Sequence, residues 1–201
     1  MLYKSTVSET TFKLLEKLQS IDEFSKLRLV GGTALALQIG HRISVDLDLF
    51  GDIEFDSELL NDFSKVQAIK KSKNINIFEI NNIKVDIVNY AYPWLDQELH
   101  IDNIRLASLK DIAAMKIAAV TGRGSKKDFV DLFFLLRAFS FNEIISFYEQ
   151  KYSDASIYLA LKSLVYFDDA DIDPPLNMLI DIPWEEVKDR IRKEVINYSE
   201  G

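Results

Sequence analysis

Cysteine is absent from the 201 residues of the chain, and histidine occurs only at His41 and His100. Without thiols, the chain has no disulfides, no thiol catalysis and no thiolate metal sites. Two imidazoles are too few for a histidine-based metal centre, so carboxylate oxygens are the main metal ligands that remain. The sequence therefore favours chemistry that uses oxygen ligands and hard cations.

Long apolar runs are missing as well, since no stretch approaches the roughly 18 consecutive apolar residues of a membrane span. The start of the chain, MLYKSTVSETTF, lacks the apolar core of a signal peptide. We therefore expect a cytoplasmic protein without membrane association. Acidic side chains outnumber basic ones by 32 to 24, which argues against broad electrostatic binding of nucleic acid but leaves room for a local basic site.

The remaining composition, 48% hydrophobic and 28% charged, is that of an ordinary globular protein. A change in character near residue 105 predicts an α/β core over residues 1–105 and a helical region over 106–201 that completes a site. In the core, the pattern predicts helices over 8–26, 33–39 and 58–67 and strands over 27–30, 43–50, 75–80 and 83–88. In the second region it predicts helices over 108–121, 128–139, 142–152, 156–167 and 184–198.

Local signals support several of these elements. Ser8, Thr33 and Asp56 are placed to cap helices, and Ser108 with Asp111 resembles a capping box. The pair Asn81-Asn82 separates two alternating segments and tolerates the positive φ of a tight hairpin turn.

The most informative feature is a pair of acids, Asp46 and Asp48, in a segment that alternates as a strand. Side chains two residues apart on a strand point to the same side, about 7 Å apart. Two like charges so close repel each other, and one or two Mg²⁺ ions would neutralise them. The sequence therefore predicts that these carboxylates bind a hard divalent cation.

A glycine pair precedes these acids in the run Gly31-Gly32-Thr33, at the point where a strand gives way to a helix. Glycines allow close approach to the backbone, and N–H groups at a helix start favour phosphate. Asp86 lies in a later strand that is otherwise apolar, and it is a natural third carboxylate if the strands are neighbours. The combination indicates a metal-chelated triphosphate, whereas the alternative is a solvated strand face with a hydrogen-bonded core acid at Asp86.

The run from Gly31-Gly-Thr-Ala-Leu35 through His41-Arg-Ile-Ser-Val-Asp-Leu-Asp-Leu-Phe50 resembles the AbiEii/AbiGii nucleotidyltransferase family. This family is a branch of the polymerase-β-like superfamily and includes toxins of toxin–antitoxin and abortive-infection systems. The resemblance covers roughly residues 28–137. It implies an α+β fold: a polymerase-β-like core with a small mixed sheet flanked by helices, and a helical C-terminal half.

For the site, the resemblance implies that Gly31, Gly32 and Thr33 contact the nucleotide phosphates and that Asp46 and Asp48 bind metal. Asp86 matches the third carboxylate by its strand context.

The family also carries a helical lysine, a Gly-Arg loop and an acid, which Lys116, Gly122-Arg123 and either Asp128 or Asp131 match here. Lys127 stands where an arginine is more usual. Lys116 is independently notable because it is the only charge in an apolar helix, and a buried ammonium needs an anion. It either orients a triphosphate with help from Asp131, or it reaches solvent or forms a purely structural pair.

Two arginines complete the predicted nucleotide site. Arg123 lies seven residues after Lys116, on the same helical face, and Arg42 stands just ahead of the acidic strand. Each could contact phosphate, and each could equally be an ordinary surface or loop arginine.

These observations predict a Mg²⁺-dependent nucleotidyltransferase, with two ions and Mn²⁺ as a substitute, that moves an NMP from an NTP to a hydroxyl. The acceptor is left open between tRNA or other RNA, a protein and a small molecule, and the resemblance suggests a toxin with an antitoxin protein. The alternative is a module that binds nucleotide or a partner on the same fold without catalysis.

Overall fold

The computed structural model describes residues 1–200. The chain divides into two compact units, the first formed by Met1–Tyr92 with Gln97–Ala107, and the second by Pro93–Asp96 with the chain from Ser108 onward.

A mixed sheet forms the centre of the first unit. Its strand order is β3-β4-β5-β2-β1-β7-β6, with β2 parallel to β5 and β1 parallel to β7. Buried residues of β2 and β5 alternate with partly exposed ones, which places the core on one side of these two strands. The strands are β1 Arg28–Val30, β2 Leu47–Gly51, β3 Val66–Lys70, β4 Ile75–Ile80, β5 Ile83–Asn89, β6 Leu99–Ile101 and β7 Ile104–Leu106.

Two α-helices accompany the sheet, α1 Glu9–Gln19 and α2 Gly31–Ile39. The predicted cap of α1 is confirmed, because the Ser8 hydroxyl accepts a hydrogen bond of 3.0 Å from the Thr11 backbone N–H. The helix ends earlier than predicted, and a short 3₁₀ turn follows at Asp22–Phe24. The mixed sheet with flanking helices agrees with the predicted α+β core.

Three further predictions for the first unit are wrong. Helix α2 begins at Gly31, its N-cap is Val30, and no side chain caps it, so Thr33 lies inside the helix. Strand β2 begins only at Leu47, and Val45, which lies within the predicted strand over 43–50, is 63% exposed. A helix over 58–67 does not form: a 3₁₀ turn at Ser57–Leu60 leads instead into β3, because Lys65 at φ +54 breaks helical geometry.

Paired asparagine or aspartate residues make two hairpin turns. Asn81 and Asn82 have φ of +53 and +64, as the sequence predicted, and join β4 to β5. Asp102 and Asn103 have φ of +52 and +63 and join β6 to β7. The second hairpin was not predicted from the sequence.

The second unit is helical, as predicted. Its helices are α3 Leu109–Gly122, α4 Lys126–Leu135, α5 Phe141–Lys151, α6 Ile157–Leu164, α7 Asp168–Asp171 and α8 Trp184–Glu200. Helix α4 was predicted over 128–139. It starts two residues earlier than predicted and ends four residues earlier. Among residues 1–200, no helix has the length and apolar character needed to cross a membrane.

A fully buried ion pair holds the start of α3. Lys151 Nζ lies 2.7 Å from Asp111 Oδ1, and both side chains are completely inaccessible to solvent. Asp111 also accepts hydrogen bonds from the Ser108 hydroxyl and the Leu95 backbone N–H, while Lys151 donates to the Pro93 carbonyl oxygen. This network fixes the 93–96 segment against the helices of its own unit.

Candidate active site

Asp48 and Asp86 lie side by side in the centre of the sheet. Residue Asp48 of β2 is the registered partner of Asp86 in the parallel strand β5. Registered partners on neighbouring strands project from the same face of a sheet, so both carboxylates lie on one face. Asp46 stands two residues before Asp48, just ahead of the strand. The structure therefore brings two of the three predicted acids together on adjacent strands.

Gly31 lets the start of helix α2 lie directly against the Asp48 carboxylate. Its φ of +69 lies in the region that favours glycine. A Cβ atom at this position would collide with Asp48 Oδ2. The carboxylate thus packs directly against the beginning of α2, where backbone N–H groups carry partial positive charge.

Replacing Gly31 with alanine is expected to displace the Asp48 carboxylate and strain the backbone. We expect stability to fall by roughly 1–3 kcal/mol. Chemical unfolding would measure the loss. Gly122→Ala is the matched control, because a Cβ atom there would meet nothing within 4 Å; equal effects from both substitutions would contradict the role of Gly31.

The Thr33 hydroxyl contacts the backbone that leads to Asp46. Thr33 is only 1% exposed, and its Oγ1 forms hydrogen bonds with Ser44 Oγ at 2.8 Å and with the Asp46 carbonyl oxygen. The Ser44 N–H in turn donates to the Thr6 carbonyl oxygen at 2.8 Å. Thr33 therefore fixes the segment ahead of Asp46, and a direct contact of its hydroxyl with phosphate stays a prediction.

Lys84 is a neighbour of Asp86 that sequence reasoning missed. Its Nζ lies 2.8 Å from Asp86 Oδ1 and 2.9 Å from Oδ2, and it is partly exposed. The two residues are separated by two positions on β5, so strand alternation alone could have revealed the pair. Lys84 supplies the positive charge that faces Asp86 in this structure.

The donor set suits a hard divalent cation, although the acids are not gathered into a formed cage. Asp46, Asp48 and Asp86 offer only carboxylate oxygens, the ligands that Mg²⁺ prefers. Within residues 1–200, no three His, Asp or Glu side chains come together closely enough to hold a metal ion. The pairing of Asp86 with Lys84 shows that a cation at this carboxylate would have to displace the ammonium.

Arg42 is buried rather than solvated, being only 4% exposed. Its Nη1 donates a hydrogen bond of 3.0 Å to the Ile43 carbonyl oxygen. The alternative of an ordinary loop arginine in water is therefore wrong, and Arg42 forms part of the segment between α2 and β2.

Within the second unit, Lys116 is held by two buried acids. Its Nζ lies 3.0 Å from Asp128 Oδ1 and 2.6 Å from Asp131 Oδ2, and both acidic side chains are fully buried. The prediction that Lys116 has a carboxylate partner agrees with this arrangement, while the alternative that it reaches solvent is wrong. Both candidate acids contact the lysine, and which of Asp128 and Asp131 is the acid of the family motif stays open.

Arg123 binds both carboxylate oxygens of Asp128, one of which also contacts Lys116. Its Nε lies 2.7 Å from Asp128 Oδ2 and its Nη2 lies 2.9 Å from Oδ1, and the Ser125 hydroxyl also donates at 2.7 Å. Burial alone would raise the pKa of Asp128. The charges of Lys116 and Arg123 and the hydrogen bonds from Arg123 and Ser125 outweigh burial, so this pKa lies well below its ordinary value. Asp128 therefore stays ionised at neutral pH.

A mixed sheet with flanking helices is the fold that this chain shares with solved nucleotidyltransferases. The model of the family described as nucleotidyl transferase AbiEii toxin, type IV toxin–antitoxin system, matches residues 13–92 and 69–197. The chain belongs to the AbiEii family.

Individual proteins show the same relationship. An uncharacterized protein, aq_aa25, from Aquifex aeolicus (strain VF5) is 38% identical over 203 aligned residues, which cover 93% of this chain and 95% of the relative. MenT4, a nucleotidyltransferase toxin from Mycobacterium tuberculosis H37Rv, has a TM-score of 0.57 at 14% identity, covering 94% of this chain and 86% of its own. The structure of ANT(2″)-Ia with adenylyl-2″-tobramycin has a TM-score of 0.54 at 15% identity, covering 72% of this chain and 98% of its own. The two structural likenesses show the shared fold.

Proposed function

We propose that this protein transfers a nucleoside monophosphate from an NTP to an acceptor hydroxyl in a Mg²⁺-dependent reaction. The observation that carries the proposal is the registered pair Asp48 and Asp86, one of whose carboxylates packs against the glycine that opens α2. This arrangement places negative charge for a cation next to a helix start that favours phosphate.

Asp46, Asp48 and Asp86 are the residues that would hold the metal, as two Mg²⁺ ions or as Mn²⁺. When bound, the cations would offset the negative charge of the triphosphate and of the departing pyrophosphate. Asp86 is also the candidate to accept the proton of the acceptor hydroxyl, since its carboxylate lies on the same face of the sheet as that of Asp48.

The family resemblance implies candidates for binding and orienting the nucleotide in each unit taken by itself. In the first unit, the backbone at Gly31 and Gly32, the Thr33 position and the buried Arg42 are the candidates. In the second unit they are Lys116, whose ammonium is fixed by Asp128 and Asp131, and Arg123, whose side chain is 58% exposed despite its bond to Asp128. Much of the rate gain would come from positioning the phosphates.

Removing the Lys84 ammonium is expected to tighten metal binding. A partly exposed pair contributes up to about 1 kcal/mol, so Lys84→Met should lower the Kd for Mn²⁺ by roughly two- to fivefold in calorimetric titration of the purified protein. Lys26→Met is the control, because it breaks the exposed pair with Asp52 and leaves Asp86 unchanged. If Lys84→Met bound Mn²⁺ with unchanged or weaker affinity, Asp86 would not be a metal ligand.

The family and the toxin MenT4 support a role as the toxin of a toxin–antitoxin or abortive-infection system, paired with an antitoxin protein. Our proposal places this role in the cytoplasm. The acceptor stays open between tRNA or other RNA, a protein and a small molecule. That ANT(2″)-Ia is seen with an adenylylated antibiotic supports keeping small molecules among the candidates.

Mass spectrometry of total cellular RNA, protein and small molecules after expression tests this function. We expect an adduct of one NMP that appears with the wild-type chain and is absent with Asp46→Ala. A matched mass shift in only one of the three fractions would identify the acceptor. Binding of Mg·NTP without any adduct would instead indicate the non-catalytic module.

A further inference from the structure

The outer edge of the sheet at β3 is open and fully exposed. β3 stands last in the strand order and pairs only with β4 among residues 1–200. All five of its residues are exposed, including Val66 at 37% and Ile69 at 58%. An edge strand presents backbone N–H and C=O groups to any chain that can pair with it.

The core layer stops one strand short of this edge. In β4, Asn76, Phe78 and Ile80 are buried. Their neighbours in β3 are exposed, although Val66 is registered with Ile80 and Ala68 with Phe78. An added strand would therefore cover apolar surface as well as satisfy backbone groups.

Lysines lie at both ends of β3 in a chain whose net charge is −8. Lys65 precedes the strand, Lys70 ends it, and Lys71 and Lys73 follow. No acid occurs between residues 65 and 73, and all four lysines are exposed. This local positive charge contrasts with the acidic remainder of the protein.

The charge pattern selects among occupants of the edge. Two copies of β3 would bring like charges together, which opposes edge-to-edge pairing of this protein with itself. The lysines could contact the phosphates of a nucleic acid. A phosphate backbone would not cover the exposed side chains of Val66 and Ile69, however, and β3 has no aromatic side chain on which a base could stack. An extended peptide could pair with the backbone of β3, cover its apolar side chains and contact its lysines through acidic side chains.

We propose that β3 is a docking edge for an extended segment of a partner protein that has a short apolar, β-branched centre and acidic residues at both ends. The segment adds a strand to the sheet through backbone hydrogen bonds, and its acids face Lys65 on one side and Lys70, Lys71 and Lys73 on the other. Five residues in extended conformation span about 17 Å, which sets the separation of the two acidic ends.

Fluorescence anisotropy with a labelled peptide of about ten residues tests the proposal on the full chain. The peptide carries valine and threonine in its centre and glutamates at both ends. We expect Lys70→Glu/Lys73→Glu to weaken binding at least about tenfold, and the matched reversal Lys162→Glu/Lys193→Glu, at exposed positions in α6 and α8, to change it less than about twofold. Hydrogen exchange should show new protection at Val66–Lys70.

A second peptide with N-methylated backbone amides separates strand addition from simple charge attraction. It keeps every side chain but loses backbone donors, so we expect no binding. No binding of the unmodified peptide, or equal binding of the methylated one, would overturn the proposal. A third result would also overturn it: single-stranded oligouridylate binds more tightly than the peptide, and the Lys70→Glu/Lys73→Glu variant loses this binding. That result would identify the edge as a nucleic-acid surface.

Discussion

Asp48→Asn is expected to abolish nucleotide transfer while leaving the fold intact. Asparagine keeps the size of the side chain and its fit against Gly31, but it removes the negative charge that a divalent cation requires. We expect the rate of NMP transfer to fall by at least about 100-fold. Transfer of label from α-³²P-NTP to the acceptor fraction would measure the loss.

The fold should tolerate this change because Asp48 is registered with a second acid, Asp86. Removal of one of two like charges relieves repulsion, so we expect unfolding free energy to change by less than about 1 kcal/mol. Asp52→Asn is the control: within residues 1–200, Asp52 is exposed and forms an ion pair only with Lys26, so this variant should transfer at the wild-type rate. If Asp48→Asn retained more than about a tenth of wild-type turnover, the metal assignment would be wrong.

The sequence predicted the central acids of the candidate site, Asp48 and Asp86, because the pattern that points to each of them lies within its own strand. Alternation in β2 and β5 places Asp48 and Asp86 on definite faces, and the Asn81-Asn82 turn fixes the β4–β5 hairpin. The mixed sheet then follows from the family resemblance. That β2 and β5 are direct neighbours depends on the topology, which no pattern within either strand encodes.

Other parts of the site could not be predicted because they depend on tertiary contacts. Thr33 has the residue type of a helix cap, yet its hydroxyl bonds to Ser44 and to the Asp46 carbonyl oxygen. The three-residue strands β6 and β7 are too short to show periodicity, and only the Asp102-Asn103 turn signals them. The sequence predicts an anionic partner for Lys116. That two acids contact it at once depends on the packing of α3 against α4.

Lys116→Met is expected to destabilise the second unit strongly. The substitution preserves the approximate length of the side chain but removes the ammonium that lies 3.0 Å from Asp128 and 2.6 Å from Asp131. Both carboxylates are fully buried, and taking one partner from a buried ion pair costs about 3–5 kcal/mol. Chemical unfolding followed by circular dichroism would measure it. A loss below about 1 kcal/mol would show that the remaining groups, such as Arg123 at Asp128, compensate for the lysine.

The double variant Lys116→Met/Asp131→Leu separates stability from nucleotide binding, because it removes a positive and a negative charge from the same buried place. Replacing a buried pair with apolar side chains of similar volume is often close to neutral, so we expect most of the lost stability to return. If Lys116 contacts phosphate, transfer stays at least about tenfold low and the KM for NTP rises, even though the protein is folded. Recovery of wild-type transfer by the double variant would show instead that Lys116, Asp128 and Asp131 only hold α3 to α4, and the nucleotide site would then consist of the remaining candidates.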